Sequence, residues 1–151
     1  MEGSLGDAGG GRRFEWVEHP SDIGFRAYGK DLAEAFENAG LALFEIMVDT
    51  GRVEPREEVE VELEAEDEKA LLYDWLDRLL YFRDAENLLF SDFRVEIREE
   101  GGRWRLKGKA RGERFDPSRH PERTAVKAVT YHLMEVVRGE GRAVVQAVVD
   151  I

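Results

Sequence analysis

The chain has 151 residues, of which 42% are hydrophobic and 36% charged, with a formal net charge of −11 and no cysteine. That length suits one domain with a sizeable core, and the lack of thiols excludes disulfides, thiolate zinc sites and cysteine nucleophiles and fits a reducing compartment. The carboxylate excess argues against a strong direct grip on nucleic-acid backbone, which Lys and Arg supply, and leaves a protein partner, a cation or a basic surface as the natural counterpart.

Met1–Gly11 is rich in glycine and lacks both a basic n-region and an apolar h-region, so it is expected to be a disordered tail and not a signal peptide. No apolar run approaches the ~18 residues of a membrane span, and the cytoplasm is the expected location. Arg13–Glu18 alternates around Phe14 and Trp16 as a half-buried strand does, and Pro20 breaks it. Ile23–Tyr28 reads as a second strand, stopped by Gly29. Asp31 with Glu34 three positions on is a capping-box pattern opening a helix through about Val48. Val59–Ala65 is strict alternation with an acidic wet face, and the acidic run Glu57–Glu68 is a solubilising surface.

A second helix is predicted from near Asp67 to Arg83, with Leu72, Trp75, Leu76, Leu79 and Leu80 as its apolar stripe. Phe90–Glu99 and Trp104–Glu113 follow as strands turned at Gly101-Gly102. The spacing of Val126, Val129, Leu133 and Val137 predicts a third helix over Glu122–Arg138, ending at Gly139. Ala143–Ile151 is a β-branched final strand. The order of elements predicts a single compact α+β domain over residues 12–151, a mixed or antiparallel sheet with about three helices.

Few places invite chemistry. Asp22, between Pro20 and Gly24, could serve as a cation ligand or close an Asx turn on its own backbone. His19 and His132 are each open to a ligand role or to plain loop and surface hydrogen bonding. The ending Asp150-Ile151 places two carboxylates side by side; with Asp22 they would make an all-oxygen site suited to Ca²⁺ or Mg²⁺, the bland alternative being a solvated chain end. Lys127 and Tyr131 are four apart, which on a helix puts a cation and a phenol on one face; such a Lys is otherwise simply solvated. Asp74, Asp77 and Arg78 read as the wet face of the second helix. No phosphate-loop, dinucleotide, zincin or serine-hydrolase motif occurs, so no complete catalytic constellation is visible.

Four segments, in order, resemble the archease family: His19-Pro20-Ser21-Asp22-Ile23-Gly24 with Tyr28-Gly29; Leu71-Leu72-Tyr73-Asp74-Trp75-Leu76 followed by Leu79-Leu80-Tyr81; Val126-Lys127-Ala128-Val129-Thr130-Tyr131-His132; and Asp150-Ile151. The resemblance spans Phe14 to Ile151. It implies a compact two-layer α+β fold and a non-catalytic protein that activates an RtcB-type RNA ligase, promoting its guanylylation and multiple turnover in tRNA splicing and RNA repair. It further implies a metal site at Asp22, Asp150 and Ile151, with calcium the usual ion, and a functionally important lysine at Lys127. Many members carry His-Thr before the aspartate; here His19-Pro20 stands there, and Pro20 stiffens the approach to Asp22. The rival readings are a stand-alone metal-dependent phosphoester hydrolase using Asp22, Asp150 and His19 or His132, and a general chaperone or scaffold.

Overall fold

The computed structural model describes residues 11–18 and 22–151. Met1–Gly10 of the expected tail, and His19, Pro20 and Ser21, lie outside the described residues. The elements run β1 (Phe14–Glu18), β2 (Asp22–Gly29), α1 (Leu32–Met47), β3 (Glu57–Ala65), α2 (Glu68–Glu86), β4 (Leu88–Glu100), β5 (Arg103–Arg114), β6 (Ala128–Gly139) and β7 (Arg142–Asp150), with a 3-10 turn at Thr50–Arg52. The described strands form two antiparallel sheets, in the orders β1-β2-β7-β6 and β3-β5-β4. The fold is α+β as predicted, but with two sheets in place of one.

Both helices start on the capping chemistry that the sequence carries. Asp31 accepts a hydrogen bond from the Glu34 N–H at 2.9 Å, and Glu34 in turn accepts from the Lys30 N–H at 2.7 Å. Asp67 does the same for Ala70 at 2.8 Å. Such a cap satisfies a donor that the first helical turn leaves orphaned, worth about 1 kcal/mol. Asn87 ends α2 in the left-handed conformation, φ 58°, and its N–H donates to the Arg83 carbonyl.

In its second half α1 is apolar nearly all round, from Ala39 through Phe44 to Met47. A helix of that kind has to be enclosed. It touches β2 and β7 of one sheet and β4 of the other, while α2 touches β6 of the first and β3, β4 and β5 of the second. The two sheets therefore share one core. Trp75, fully buried, ties the helices together by donating its indole N–H to the Phe36 carbonyl at 2.9 Å. Among the described residues no helix is long and apolar enough to cross a membrane.

The predicted third helix over Glu122–Arg138 is wrong: an irregular segment leads into β6. Thr130 pairs with Val148 and Glu135 with Gln146, so β6 spends three more residues than β7 over that interval. An odd insertion reverses the in–out phase. Val129 before it and Val136 after it both face the core, seven residues apart. Of the predicted stripe, Val126 and Val129 are buried, whereas Leu133 and Val137 are exposed, as the strand and its excursion require. Leu133, at φ 57°, carries the chain through the excursion.

The acidic run Glu57–Glu68 is largely exposed, as expected of a solubilising surface, and on β3 it also faces cations. Glu58, Glu60, Glu62 and Glu64 on β3 stand opposite Arg111, Lys109, Lys107 and Arg105 on β5. On the other side of β5, Asp92, Glu96 and Glu100 of β4 oppose Arg111, Lys107 and Arg103, while Arg94 and Arg98 add positive charge. Opposite charges facing each other across strands stabilise a sheet modestly. This face is a balanced ionic carpet, so the −11 of the chain resides elsewhere.

Candidate functional site

The four-stranded sheet has an inner face of Phe25 and Ala27 on β2 and Ala143, Val145, Ala147 and Val149 on β7, all in the core. Alternation puts Asp22 and Asp150 on the opposite face. They are direct partners in the β2–β7 ladder. Directly opposed residues hold their Cβ atoms about 4.5–5.5 Å apart, and like charges so placed repel. Both side chains are only partly buried.

Asp150 is also the partner of Ala128 at the start of β6, and the Lys127 N–H donates to the Asp150 carbonyl at 2.8 Å. Three candidates far apart in sequence, Asp22, Lys127 and Asp150, thus meet at one corner of one sheet, with Ile151 next in the chain. Lys127 reaches this corner as the residue that enters a strand, and not through a helical face shared with Tyr131. Its side chain is exposed.

The segment delivering Lys127 is fixed at two places. Near β6, the Arg123 and Thr124 N–H groups donate to the Met47 and Ile46 carbonyls, each at 3.0 Å, satisfying two acceptors that the end of α1 leaves open. Arg123 also donates to the Glu45 carboxylate at 2.8 Å and to the Glu45 carbonyl at 2.9 Å. Partial burial pushes the Glu45 carboxyl up, but bonds from Thr50 and Arg123 outweigh it and leave it lowered.

Further back, the loop folds over Glu113. Arg119 grips that carboxylate with both terminal nitrogens, at 2.8 and 2.9 Å, while the Glu54 N–H and His120 Nε2 each lie 2.9 Å from Oε2. His120 is completely buried. Its Nδ1 accepts the Asp116 N–H at 2.9 Å, so the ring proton sits on Nε2 and is donated to Glu113. The Arg119 bonds, helped by the Glu54 and His120 donors, hold the Glu113 carboxyl down at about 2 against a usual 4.5. Sequence reading missed this latch. Glu113 lies at the outward parity of β5, and alternation assigns such a position to solvent.

The remaining candidates fall elsewhere. Asp74 lies on α2, where burial and then the neighbouring Asp77 raise its carboxyl above the usual range. The adjacent Tyr73 ring stacks on Tyr131 of β6, with centroids 4.4 Å apart and planes within 8°. His132 follows Tyr131 on β6, exposed to solvent. His19 lies outside the described residues.

As a metal site, the corner offers oxygen donors only: two carboxylates and main-chain oxygen at Ile151. That donor set suits a hard cation such as Ca²⁺, which takes 6–8 oxygens. Among the described residues no third Asp, Glu, His or Cys joins the pair. Two carboxylates cannot fill a calcium sphere, so water or a partner's oxygens would complete it. The mutual repulsion of Asp22 and Asp150 is what a cation would relieve.

The profile of the Archease protein family (MTH1598/TM1083) matches residues 14–151. The chain is 47% identical over 141 residues to "Protein archease" of Pyrococcus furiosus, covering 93% of this chain and 99% of that one. To the protein of the same name in Sulfurisphaera tokodaii it is 49% identical over 140 residues, again covering 93% and 99%. The solution structure of Methanobacterium thermoautotrophicum protein 1598 superposes with a TM-score of 0.82 at 47% identity, covering 92% of this chain and 99% of that chain. A Thermotoga maritima crystal structure, described as an archease and possible chaperone, shares the fold at a TM-score of 0.56 and 21% identity, covering 89% and 94%.

Proposed function

This chain belongs to the archease family, and from that premise we propose that it is a non-catalytic activator of an RtcB-type RNA ligase in tRNA splicing and RNA repair. The observation that carries this reading is the cross-strand pair Asp22 and Asp150, with the Lys127 backbone bonded to Asp150. An acidic corner with one lysine beside it is built to enter a cleft where a nucleotide and its metal ions are handled. Asp22, Asp150 and the Ile151 main-chain oxygen hold a divalent cation, most simply Ca²⁺, which when bound supplies Lewis-acid stabilisation of phosphate charge. Lys127 neutralises phosphate or pairs with a ligase carboxylate, and the two anchors of its loop keep it in place. The chain contributes position and charge, and the ligase's own nucleophile takes the guanylyl group.

The test is guanylylation and multiple-turnover ligation by the cognate ligase with and without this protein. Asp22→Ala and Lys127→Ala should each abolish stimulation while melting within a few degrees of the parent. Full stimulation by both variants would sink the reading. Calcium titration separates the metal claim from a chaperone or scaffold role, since an ion bound only to the folded state at a hundredfold over its Kd adds about 2.7 kcal/mol of stability. Phosphoester turnover by the protein alone with divalent metal would favour the hydrolase instead.

A further inference from the structure

The outer face of β3, β5 and β4 is electrically self-contained, so the acidic surplus has to be read on the remaining surface. One part of that surface is more than acidic. Tyr131 is 54% exposed although one face of its ring is covered by Tyr73, which leaves the opposite side of the ring and the hydroxyl edge in water. On α2, Asp74 follows Tyr73 directly and Asp77 lies one helical turn on, with Lys69 one turn before and Arg78 after. Burial and then the negative fields of Asp74, Tyr73, Asp67 and Glu66 push the Tyr131 phenol up. Among the described strands, β6 is also one of the two edge strands of its sheet.

A flat aromatic surface rimmed by carboxylates selects a particular guest. A π face attracts cations, and a guanidinium is planar, weakly hydrated and able to stack while its edge pairs with a carboxylate. An ammonium matches the charge and not the shape. A nucleobase matches the shape, but its phosphates would meet the carboxylates. We propose that the Tyr73–Tyr131 pair is a docking platform for an arginine-bearing segment of a protein partner, the guanidinium lying on the Tyr131 ring and pairing with Asp74. This platform does not depend on the ligase reading: it lies on α2 and β6, and neither Asp22 nor Asp150 takes part.

The experiment titrates the full chain with an arginine-rich peptide and a lysine-rich peptide of equal length and charge, read by calorimetry. The arginine peptide should bind about tenfold tighter. Tyr131→Ala and Asp74→Asn should each weaken it about five- to tenfold. Tyr81→Ala, which removes another exposed tyrosine of α2, should leave affinity unchanged, as should Asp22→Asn. Should Tyr131→Ala melt early, Tyr131→Leu keeps the bulk without the π face and is expected to lose the same affinity. Equal affinity for the two peptides, or full affinity in Tyr131→Leu, would overturn the proposal and reduce the surface to bulk charge.

Discussion

Replacing Glu113 with Gln keeps the shape of the side chain and removes its charge from the centre of the loop latch. In the folded protein this carboxyl is held at about 2 against a usual 4.5, and its side chain is 7% exposed. Lowering a carboxyl by that much corresponds to about 3 kcal/mol. Its partners Arg119 and Arg56 are 37% and 63% exposed, so the latch lies just beneath the surface and solvent screening trims the figure to about 2 kcal/mol. The sign follows from the lowered folded value: the stabilisation is complete above pH 4.5 and is lost as pH falls towards 2. At pH 7 Glu113→Gln should therefore melt about 4–8 °C below the parent. Urea or thermal melts from pH 7 down to 2.5 should show the two proteins converging through the lower part of that range. A gap that stays constant from pH 6 to 2.5, or no gap at pH 7, would refute the account of the latch. The same variant should weaken ligase stimulation more than the stability loss alone implies, because the loop that the latch holds is the one that carries Lys127.

Gly112→Ala should unfold the protein or cost more than about 4 kcal/mol, since an added Cβ would lie 1.7 Å from the Leu89 carbonyl oxygen, and a soluble variant with a parental melt would contradict that geometry. Leu133→Gly should melt at or about 1–2 °C above the parent, because the left-handed backbone at φ 57° costs a leucine about 1–2 kcal/mol and glycine's extra chain entropy offsets only part of it. Leu133→Val, β-branched at the same φ, should fall below the parent, and the reverse order would mean that the excursion relaxes in solution. Asp150→Asn should raise stability by about 0.2–1 kcal/mol in chelator, by removing a like charge opposite Asp22. It should also lose the response to calcium, and a response equal to the parent's would exclude Asp150 as a ligand.

Most of the elements were readable in the sequence because each carries its own local signal. Asp31 with Glu34 marks the start of α1 and Asp67 that of α2, and Gly101 and Gly102 adopt φ of 59° and 78° as a tight hairpin requires. The separation into two sheets was not readable, since β2 and β7 pair residues more than a hundred positions apart and no local pattern announces such a partner. Glu113 and His120 escaped for a related reason. Glu113 is buried because the loop bearing His120 folds back over the end of the sheet face that alternation assigns to water.

The misread segment is also the one that sharpens the site. On a helix, Lys127 would share a face with Tyr131, and its relation to Asp150 would rest on resemblance alone. On the strand, β6 begins against the end of β7, and the Lys127 N–H is bonded to Asp150 itself. That change of secondary structure turns two unrelated positions into neighbours and separates Lys127 from Tyr131, whose ring belongs instead to α2 through Tyr73. The phase-reversing insertion starts at Thr130, after Lys127, and Tyr131 lies within it. One strand therefore serves two surfaces: its entry completes the acidic corner, and its excursion builds the aromatic platform. A substitution in the excursion should disturb peptide docking and spare the corner, which Asp150 and the α1 anchors hold independently.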